Sequence, residues 1–184
     1  MSIVPSDLRR LAPDDAALYR DIRLEGLAES PDAFGSTLEA EEDRPLDAFA
    51  ERLADSYVVG AFSGSHLVGV AGFYVQPGPK HAHKGVLWGM YVRPSCRGMS
   101  IGRMLVEAII EHASERVEQL QLLVVSDNLP ARRLYESLGF VEYGVEWHAT
   151  KHRGRYHDDV MMVLPLVLES PAEAIDAPTE DVTA

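Results

Sequence analysis

The chain has 184 residues, of which 46% are hydrophobic and 25% are charged, and these values are typical of one soluble globular domain with a single core. Its formal net charge of −12 argues against nucleic acid as a partner, because a phosphate backbone needs a basic surface. An acidic surface is compatible with a cationic substrate such as an amine, which long-range electrostatics would attract.

Two features of the chain predict a cytoplasmic protein. A single cysteine excludes an internal disulfide and favours a reducing compartment. The first seven residues lack the basic and apolar regions of a signal peptide. No apolar run is long enough to cross a bilayer, so no membrane partner is expected.

Hydrophobic periodicity and turn residues predict alternating strands and helices. In the first half of the chain we expect a strand, a helix, a partly helical segment and two hairpin strands, over residues 8–11, 13–29, 34–55, 57–62 and 66–76. In the second half we expect a strand, a helix, a strand, a short helix and two final strands, over residues 86–92, 101–115, 119–125, 129–138, 141–147 and 160–164. The strand over 119–125 is apolar on both faces, as a central strand is. Mixed strands and helices over one core predict an α/β or α+β fold.

The domain organisation follows from a change in composition near the C-terminus. Residues 1–168 are expected to form one domain, and residues 169–184 form an acidic tail that is poor in aromatic residues. Such a composition predicts disorder, because too little apolar surface is available to bury.

The segment that joins the strand over 86–92 to the helix over 101–115 predicts an anion site. Free N–H groups of a first helical turn point towards a ligand, and the helix dipole favours negative charge there. Gly98 allows the backbone to come close, and Arg97 supplies charge-assisted hydrogen bonds to phosphate oxygens. The spacing gives neither a lysine-bearing P-loop nor a G-x-G-x-x-G motif. We therefore expect a pyrophosphate site of another class.

Two motifs resemble those of the GCN5-related N-acetyltransferases (GNAT). Residues 97–102, RGMSIG, match [QR]-x-x-G-x-[GA] except that Ser100 stands where the family usually has glycine. Residues 128–140, NLPARRLYESLGF, are similar to N-x-x-A-x-x-L-Y-x-x-x-G-F and follow the next strand, as in the family. The resemblance runs from about residue 8 to residue 168. It implies a single-domain fold with a mixed, mostly antiparallel central sheet flanked by helices.

The resemblance also implies a function. Acetyl-CoA would be the acyl donor, and its acetyl group would pass directly to a primary amine of a small molecule or peptide, with no metal. Backbone groups of Met90 and Val92 would pair with the pantetheine, and Tyr135 would protonate the departing thiolate. A phenol suits that role because its ordinary pKa of about 10 is close to that of a thiol. The alternative is that Tyr135 is a core aromatic. The implied cofactor-binding residues are Met90, Tyr91, Val92, Arg97, Gly98, Met99, Ser100, Ile101, Gly102, Arg103, Asn128 and Tyr135.

The general base is not fixed by the sequence. The strand before the anion site holds Trp88, Gly89 and Met90 where many family members carry a carboxylate. The candidates are Glu25, His83, His157 and Asp159, each of which is also explained by a structural role. His81 and His83 would share one face of a strand, but no further ligand has a matching spacing, so we expect no metal site.

Two other functions remain open. One is a regulatory module that binds an acyl-CoA without turnover, which Ser100 and the missing strand carboxylate favour. The other is an acyltransferase for another acyl-CoA or for an O-acceptor. The acceptor is not fixed, and a homodimer is compatible with the sequence. Trp88 and Trp147 are expected to be core or pocket-wall residues.

Overall fold

The structure, a computed structural model, describes residues 7–166, and the predicted acidic tail over residues 169–184 lies outside them. It contains one seven-stranded sheet with helices on both faces. The strands are β1 (Asp7–Arg10), β2 (Tyr57–Ser63), β3 (His66–Val75), β4 (Lys84–Val92), β5 (Gln119–Val125), β6 (Val141–His152) and β7 (Arg155–Pro165). The helices are α1 (Ala16–Glu29), α2 (Leu38–Glu41), α3 (Leu46–Asp55), α4 (Ile101–Ser114) and α5 (Leu129–Ser137).

The strand order is β1-β2-β3-β4-β5-β7-β6. Every neighbouring pair is antiparallel except β4 and β5, which are parallel because α4 crosses over between them. The prediction of a mixed, mostly antiparallel sheet flanked by helices is confirmed. Two continuous apolar runs, buried on both faces, and the turn at Gly64, which has a φ of 59°, account for the β2–β3 hairpin.

The parallel pair is incomplete. Residues 84–86 of β4 pair with residues 119–121 of β5, and the two strands then diverge. Gly89, with a φ of 62°, lies where the β3–β4 register shifts, so β4 is bulged just beyond the point of divergence. Among residues 7–166, the edge of β4 that faces β5 therefore has no strand partner from Leu87 onward.

The sheet buries a separate cluster of apolar side chains on each face. One cluster packs the sheet against α4 and α5 and includes Phe73, Leu105, Ile109, Leu122 and Met162. The other packs it against α1 and α3 and includes Tyr19, Ile22, Phe49, Leu53 and Tyr91. Each large apolar side chain that is fully buried contributes about 1.5–3 kcal/mol. The clusters hold the ends of β4 and β5 in place from both sides.

An ion cluster of three residues fastens the helices of the second face. Glu41 of α2 is 2% exposed and accepts hydrogen bonds from Arg23 of α1 at 2.8 Å and from Arg52 of α3 at 2.9 Å. Burial alone raises the pKa of Glu41, but hydrogen bonds from Arg23, Ser36 and Arg52 outweigh it and lower the pKa to about 2. The three helices are thus tied together by charge as well as by packing.

Two sequence-based expectations about apolar residues are wrong. Trp147 is 78% exposed rather than in the core or a pocket wall, because it lies in an irregular part of the edge strand β6. Leu123 is 57% exposed although β5 is an interior strand, because β4 has already diverged from β5 at that level. The last two strands are also longer than predicted.

Within the described residues, no helix combines the length and apolar character needed to cross a membrane.

Candidate functional site

A cavity of about 610 Å³ opens where β4 and β5 diverge. Its walls are the end of β4, the loop and first turn of α4, the end of β5, and α5, with the segment after α1 on the opposite side of the sheet. All of the predicted cofactor-binding residues line it except Met99, which is 40% exposed beside it in the loop. Residues from three separate stretches of sequence therefore meet at one site.

The loop before α4 has an unusual backbone. Gly98 has a φ of 77°, and Ser100 has a φ of 61° and a ψ of 8°, so both are left-handed. Serine is strained there, since its Cβ crowds the following carbonyl oxygen. The glycine that the family usually has at this position would relieve a backbone strain, and the Ser100 side chain itself is exposed.

The first turn of α4 supplies hydrogen-bond donors to the cavity. The first intrahelical bond joins the Met104 N–H to the Ser100 carbonyl at 3.0 Å. The amides of Ile101, Gly102 and Arg103 precede it and have no acceptor within the helix. Together with the helix dipole, they make this wall suitable for an anion.

Gly102 brings the first turn of α4 close to two neighbouring elements. A Cβ there would lie 2.8 Å from Met90 Cε and 3.2 Å from Leu134 Cδ2. The start of α4 is thus in contact with both β4 and α5, and a larger residue would require the ends of these two side chains to shift.

Two arginines flank this wall, and they differ in how far their hydrogen-bond donors are already used within the protein. Arg97 donates from Nε to the Val92 carbonyl at 3.0 Å, and its terminal nitrogens are further donors beside the cavity. Arg103 already donates to Glu107 at 3.3 Å and to Ser137 Oγ at 2.6 Å. Arg97 is therefore the better candidate for a phosphate contact.

Tyr135 joins α5 to β4 across the cavity. It is 6% exposed, and its hydroxyl donates to Met90 Sδ at 3.2 Å. Its ring packs edge-on against Phe140, with the ring centroids 5.7 Å apart. Burial raises the pKa of Tyr135, which keeps the phenol protonated at neutral pH. The side chain packs as a core aromatic, and its hydroxyl points to a sulfur atom in the cavity wall.

Asn128 begins α5 as its N-cap. Its Oδ1 accepts from the Ala131 N–H at 3.3 Å, which orients the side chain at the cavity wall. Capping does not use Nδ2, and this amide nitrogen is the group that a ligand can accept from.

On the opposite face, a short turn after α1 reaches the β6–β7 hairpin. Asp32 lies 2.7 Å from His152 Nδ1 and 3.6 Å from His157 Nε2. The hydrogen bond from His152 lowers the pKa of Asp32. Sequence reasoning missed this contact, because nothing in the spacing of residues so far apart indicates it. It holds the turn next to Ala33 and Phe34, which line the cavity.

The four candidate bases occupy different environments. Glu25 accepts from the Tyr91 hydroxyl at 3.2 Å and pairs with Arg93 at 3.2 Å. His83 precedes β4 at its opposite end, in the wall of a separate shallow depression. His157 is buried and faces Asp32, whereas Asp159 lies across from Val125 of the cavity wall. Among residues 7–166, no three His, Cys, Asp or Glu side chains are grouped so as to hold a metal ion.

The chain is similar to named proteins in sequence. It is 28% identical over 140 residues to a mycothiol acetyltransferase of Mycobacterium leprae, a match that covers 72% of this chain and 45% of that protein. It is 33% identical over 84 residues to a [ribosomal protein bS18]-alanine N-acetyltransferase of Salmonella typhimurium, covering 45% of this chain and 57% of the relative. The chain thus spans about half the length of these curated relatives.

Comparison with solved structures and with family models identifies the fold. A Salmonella typhimurium protein solved with acetyl-CoA, described as its cofactor, superimposes with a TM-score of 0.77 at 22% identity, over 91% of this chain and 98% of that one. Residues 24–140, which include the loop before α4 and all of α5, match the model of one family. On this match the chain belongs to the acetyltransferase (GNAT) family.

Proposed function

We propose that the protein is an acetyl-CoA-dependent N-acetyltransferase that passes an acetyl group directly to a primary amine of a small molecule or peptide. The observation that carries this proposal is the cavity between β4 and β5, where an anion-binding helix start, an unpaired strand edge and the Tyr135 hydroxyl meet. The relatives named as acetyltransferases support it, and one of them is named for an alanine acceptor.

The walls of the cavity fit an acyl-CoA. The amides of Ile101, Gly102 and Arg103, with Arg97, suit the charge of a pyrophosphate. The edge of β4 beyond Leu87 offers backbone donors and acceptors to the amides of a pantetheine arm, as a strand partner would. Asn128 Nδ2 adds one more donor from the other wall.

The chemistry needs one acid and no covalent intermediate on the protein. The amine nitrogen forms a bond to the thioester carbon and then loses one N–H proton to solvent, the carbon–sulfur bond breaks, and the leaving sulfur takes a proton. Tyr135 is the proposed source of that proton, because its O–H already donates to a sulfur atom at this place. Its raised pKa keeps the proton available but makes the phenol a weaker acid than free tyrosine.

The test is a screen of acceptors with acetyl-CoA. Small primary amines, amino acids and peptides that begin with alanine would be mixed with the protein and acetyl-CoA. Released thiol would be measured with a colorimetric thiol reagent, and the acetylated product would be detected by mass spectrometry. Propionyl-CoA and longer acyl-CoAs, and acceptors with only a hydroxyl group, would be run beside them. Thiol release with an amine supports the proposal. Tight acetyl-CoA binding without any turnover would instead identify a non-catalytic acyl-CoA-binding module.

A further inference from the structure

Asp159 of β7 does not itself line the cavity but lies across from Val125 of its wall, on the side of the sheet opposite to α4. Its cross-strand neighbours are Val125 of β5, which lines the cavity, and Glu146 of β6. Directly opposed residues of antiparallel strands project to the same face. Val160, the next residue of β7, is buried in the cluster under α4 and α5, so Asp159 faces the other way. This is the face that carries α1, Asp32 and His157.

The Asp159 carboxylate has an unusual environment. Its Oδ1 is buried and, within residues 7–166, has no hydrogen-bond partner. A buried carboxylate oxygen without a partner costs stability, so such groups are rare unless something else pairs with them. Two other carboxylates of this face differ. Glu25 is paired with Arg93 and Tyr91, and Asp32 with two histidines.

We propose that Asp159 binds the ammonium group of the acceptor beside the cavity and takes the proton that must leave before the amine can attack. This inference rests on the proposed function and specifies its acceptor as a cationic amine. The step is balanced: one N–H bond of the ammonium breaks, one O–H bond forms on the carboxylate, and the neutral amine keeps the electron pair. The protonated Asp159 then returns its proton to solvent.

The charges around Asp159 support both roles. Burial raises the pKa of Asp159, and Glu146 and Asp158 raise it further, while His157 opposes them. A carboxyl group whose pKa lies nearer to neutrality is a better general base than an ordinary aspartate. Glu146 also adds a second negative charge that attracts a cation to the same place.

The experiment compares Asp159→Asn with Asp158→Asn. The control carries the same chemical change one residue away on the opposite face, and its new amide oxygen can still accept the His148 N–H that Asp158 accepts at 2.7 Å. On an amine that the wild type acetylates, we expect Asp159→Asn to raise KM by about tenfold to one hundredfold, the cost of losing a charged hydrogen bond. Asp159→Asn should also lower kcat. It should abolish the acid limb of the pH profile, which is the fall of kcat/KM at low pH. The control should match the wild type in KM and kcat at neutral pH, and its acid limb should move to lower pH because the Asp158 charge also raises the pKa of Asp159. Both variants should bind acetyl-CoA as the wild type does.

A second variant keeps the test independent of how Asp159→Asn folds. Glu146→Gln removes a charge that raises the pKa of Asp159, so the acid limb should move to lower pH while turnover is retained. An unchanged acid limb in this variant contradicts the inference.

The other outcomes separate the inference from the function on which it rests. A folded Asp159→Asn chain that is kinetically equal to the wild type overturns the role of Asp159 and leaves the acetyltransferase proposal intact. If Asp159→Asn does not fold, the acid limb of Glu146→Gln decides the role of Asp159. Turnover of hydroxyl acceptors alone overturns the amine as acceptor. A wild type that acetylates nothing in the screen overturns both proposals.

Discussion

The hydroxyl of Tyr135 donates to Met90 Sδ at 3.2 Å and so bridges the cavity from α5 to β4. We predict that Tyr135→Phe lowers kcat by at least about one hundredfold, the lower part of the range for general acid catalysis. The thermal midpoint and the Kd for acetyl-CoA should change little, because the ring stays and a hydrogen bond to a thioether is weak. Steady-state kinetics on an acceptor from the screen measures this. Tyr74→Phe, on a half-exposed tyrosine of β3 outside the cavity, is the control. Equal kcat values for both variants, with chemistry rate-limiting, would remove Tyr135 from the mechanism.

Arg97 is expected to contribute to acetyl-CoA binding. Arg97→Ala should weaken it by about 1.5–3 kcal/mol, the value of one charge-assisted hydrogen bond. Calorimetric titration would show this as a Kd about tenfold to one hundredfold higher, and the thermal shift caused by acetyl-CoA would shrink. Arg133→Ala is the matched control, because Arg133 is exposed on α5 and does not line the cavity. The same thermal shift in wild type and Arg97→Ala would contradict the assignment.

Ser100 is predicted to destabilise the loop that it belongs to. Ser100→Gly removes a Cβ from a left-handed residue, which relieves about 1–2 kcal/mol. Glycine also makes the unfolded chain more flexible, and this lowers the stability by about 0.4–1 kcal/mol. We expect a net stabilisation of about 0.5–1 kcal/mol in urea unfolding, and an acetyl-CoA Kd within about tenfold of the wild type. Ser100→Ala retains the Cβ and should show no such stabilisation. A glycine variant that is less stable than the wild type would exclude backbone strain as the reason.

The pKa of Glu41 predicts an acid-sensitive fold. Because its pKa falls from 4.5 unfolded to about 2 folded, the stabilisation is present above about pH 4.5 and is lost as the pH drops towards 2. This amounts to about 3 kcal/mol. Glu41→Gln should cost about 3–5 kcal/mol at neutral pH, since it leaves the guanidinium groups of Arg23 and Arg52 without a counter-charge.

Urea unfolding between pH 2 and 7 tests this prediction. The control is Glu42→Gln, which alters the exposed neighbouring residue. The Glu41 variant should lose less stability on acidification than the wild type and the control do. Parallel stability curves for all three proteins would show that Glu41 is not the titrating group.

The fold could be predicted from the sequence where the pattern is local. The alternation of strands, the helix of α4 after a glycine-bearing loop, and the motif around Tyr135 all depend on residues close together in the chain. The residues that line the cavity from the start of α4 and from α5 are therefore indicated by their two motifs. Their mutual contacts, such as Gly102 against Met90, follow from packing between elements and could not be read from spacing.

The side of the cavity next to α1 could not be predicted, for a physical reason. Its contacts join α1, the turn at Asp32 and the β6–β7 hairpin, which are far apart in the chain. Asp159 is distinguished from Glu25 only by what each carboxylate touches. The exposure of Trp147 similarly depends on an edge strand and on an irregular register, which apolar composition does not reveal.

Within residues 7–166, the sheet consists of two groups of strands, β1–β4 and β5–β7, and the strand pairing between them is limited to residues 84–86 and 119–121. A ligand bound between β4 and β5 would form hydrogen bonds with backbone groups that have no partner in the sheet. It would thereby stabilise the arrangement of the two groups of strands. Ligand that binds only the folded chain adds RT ln(1 + [L]/Kd) to its stability. The resistance of this protein to unfolding and proteolysis should therefore increase with the concentration of its acyl donor.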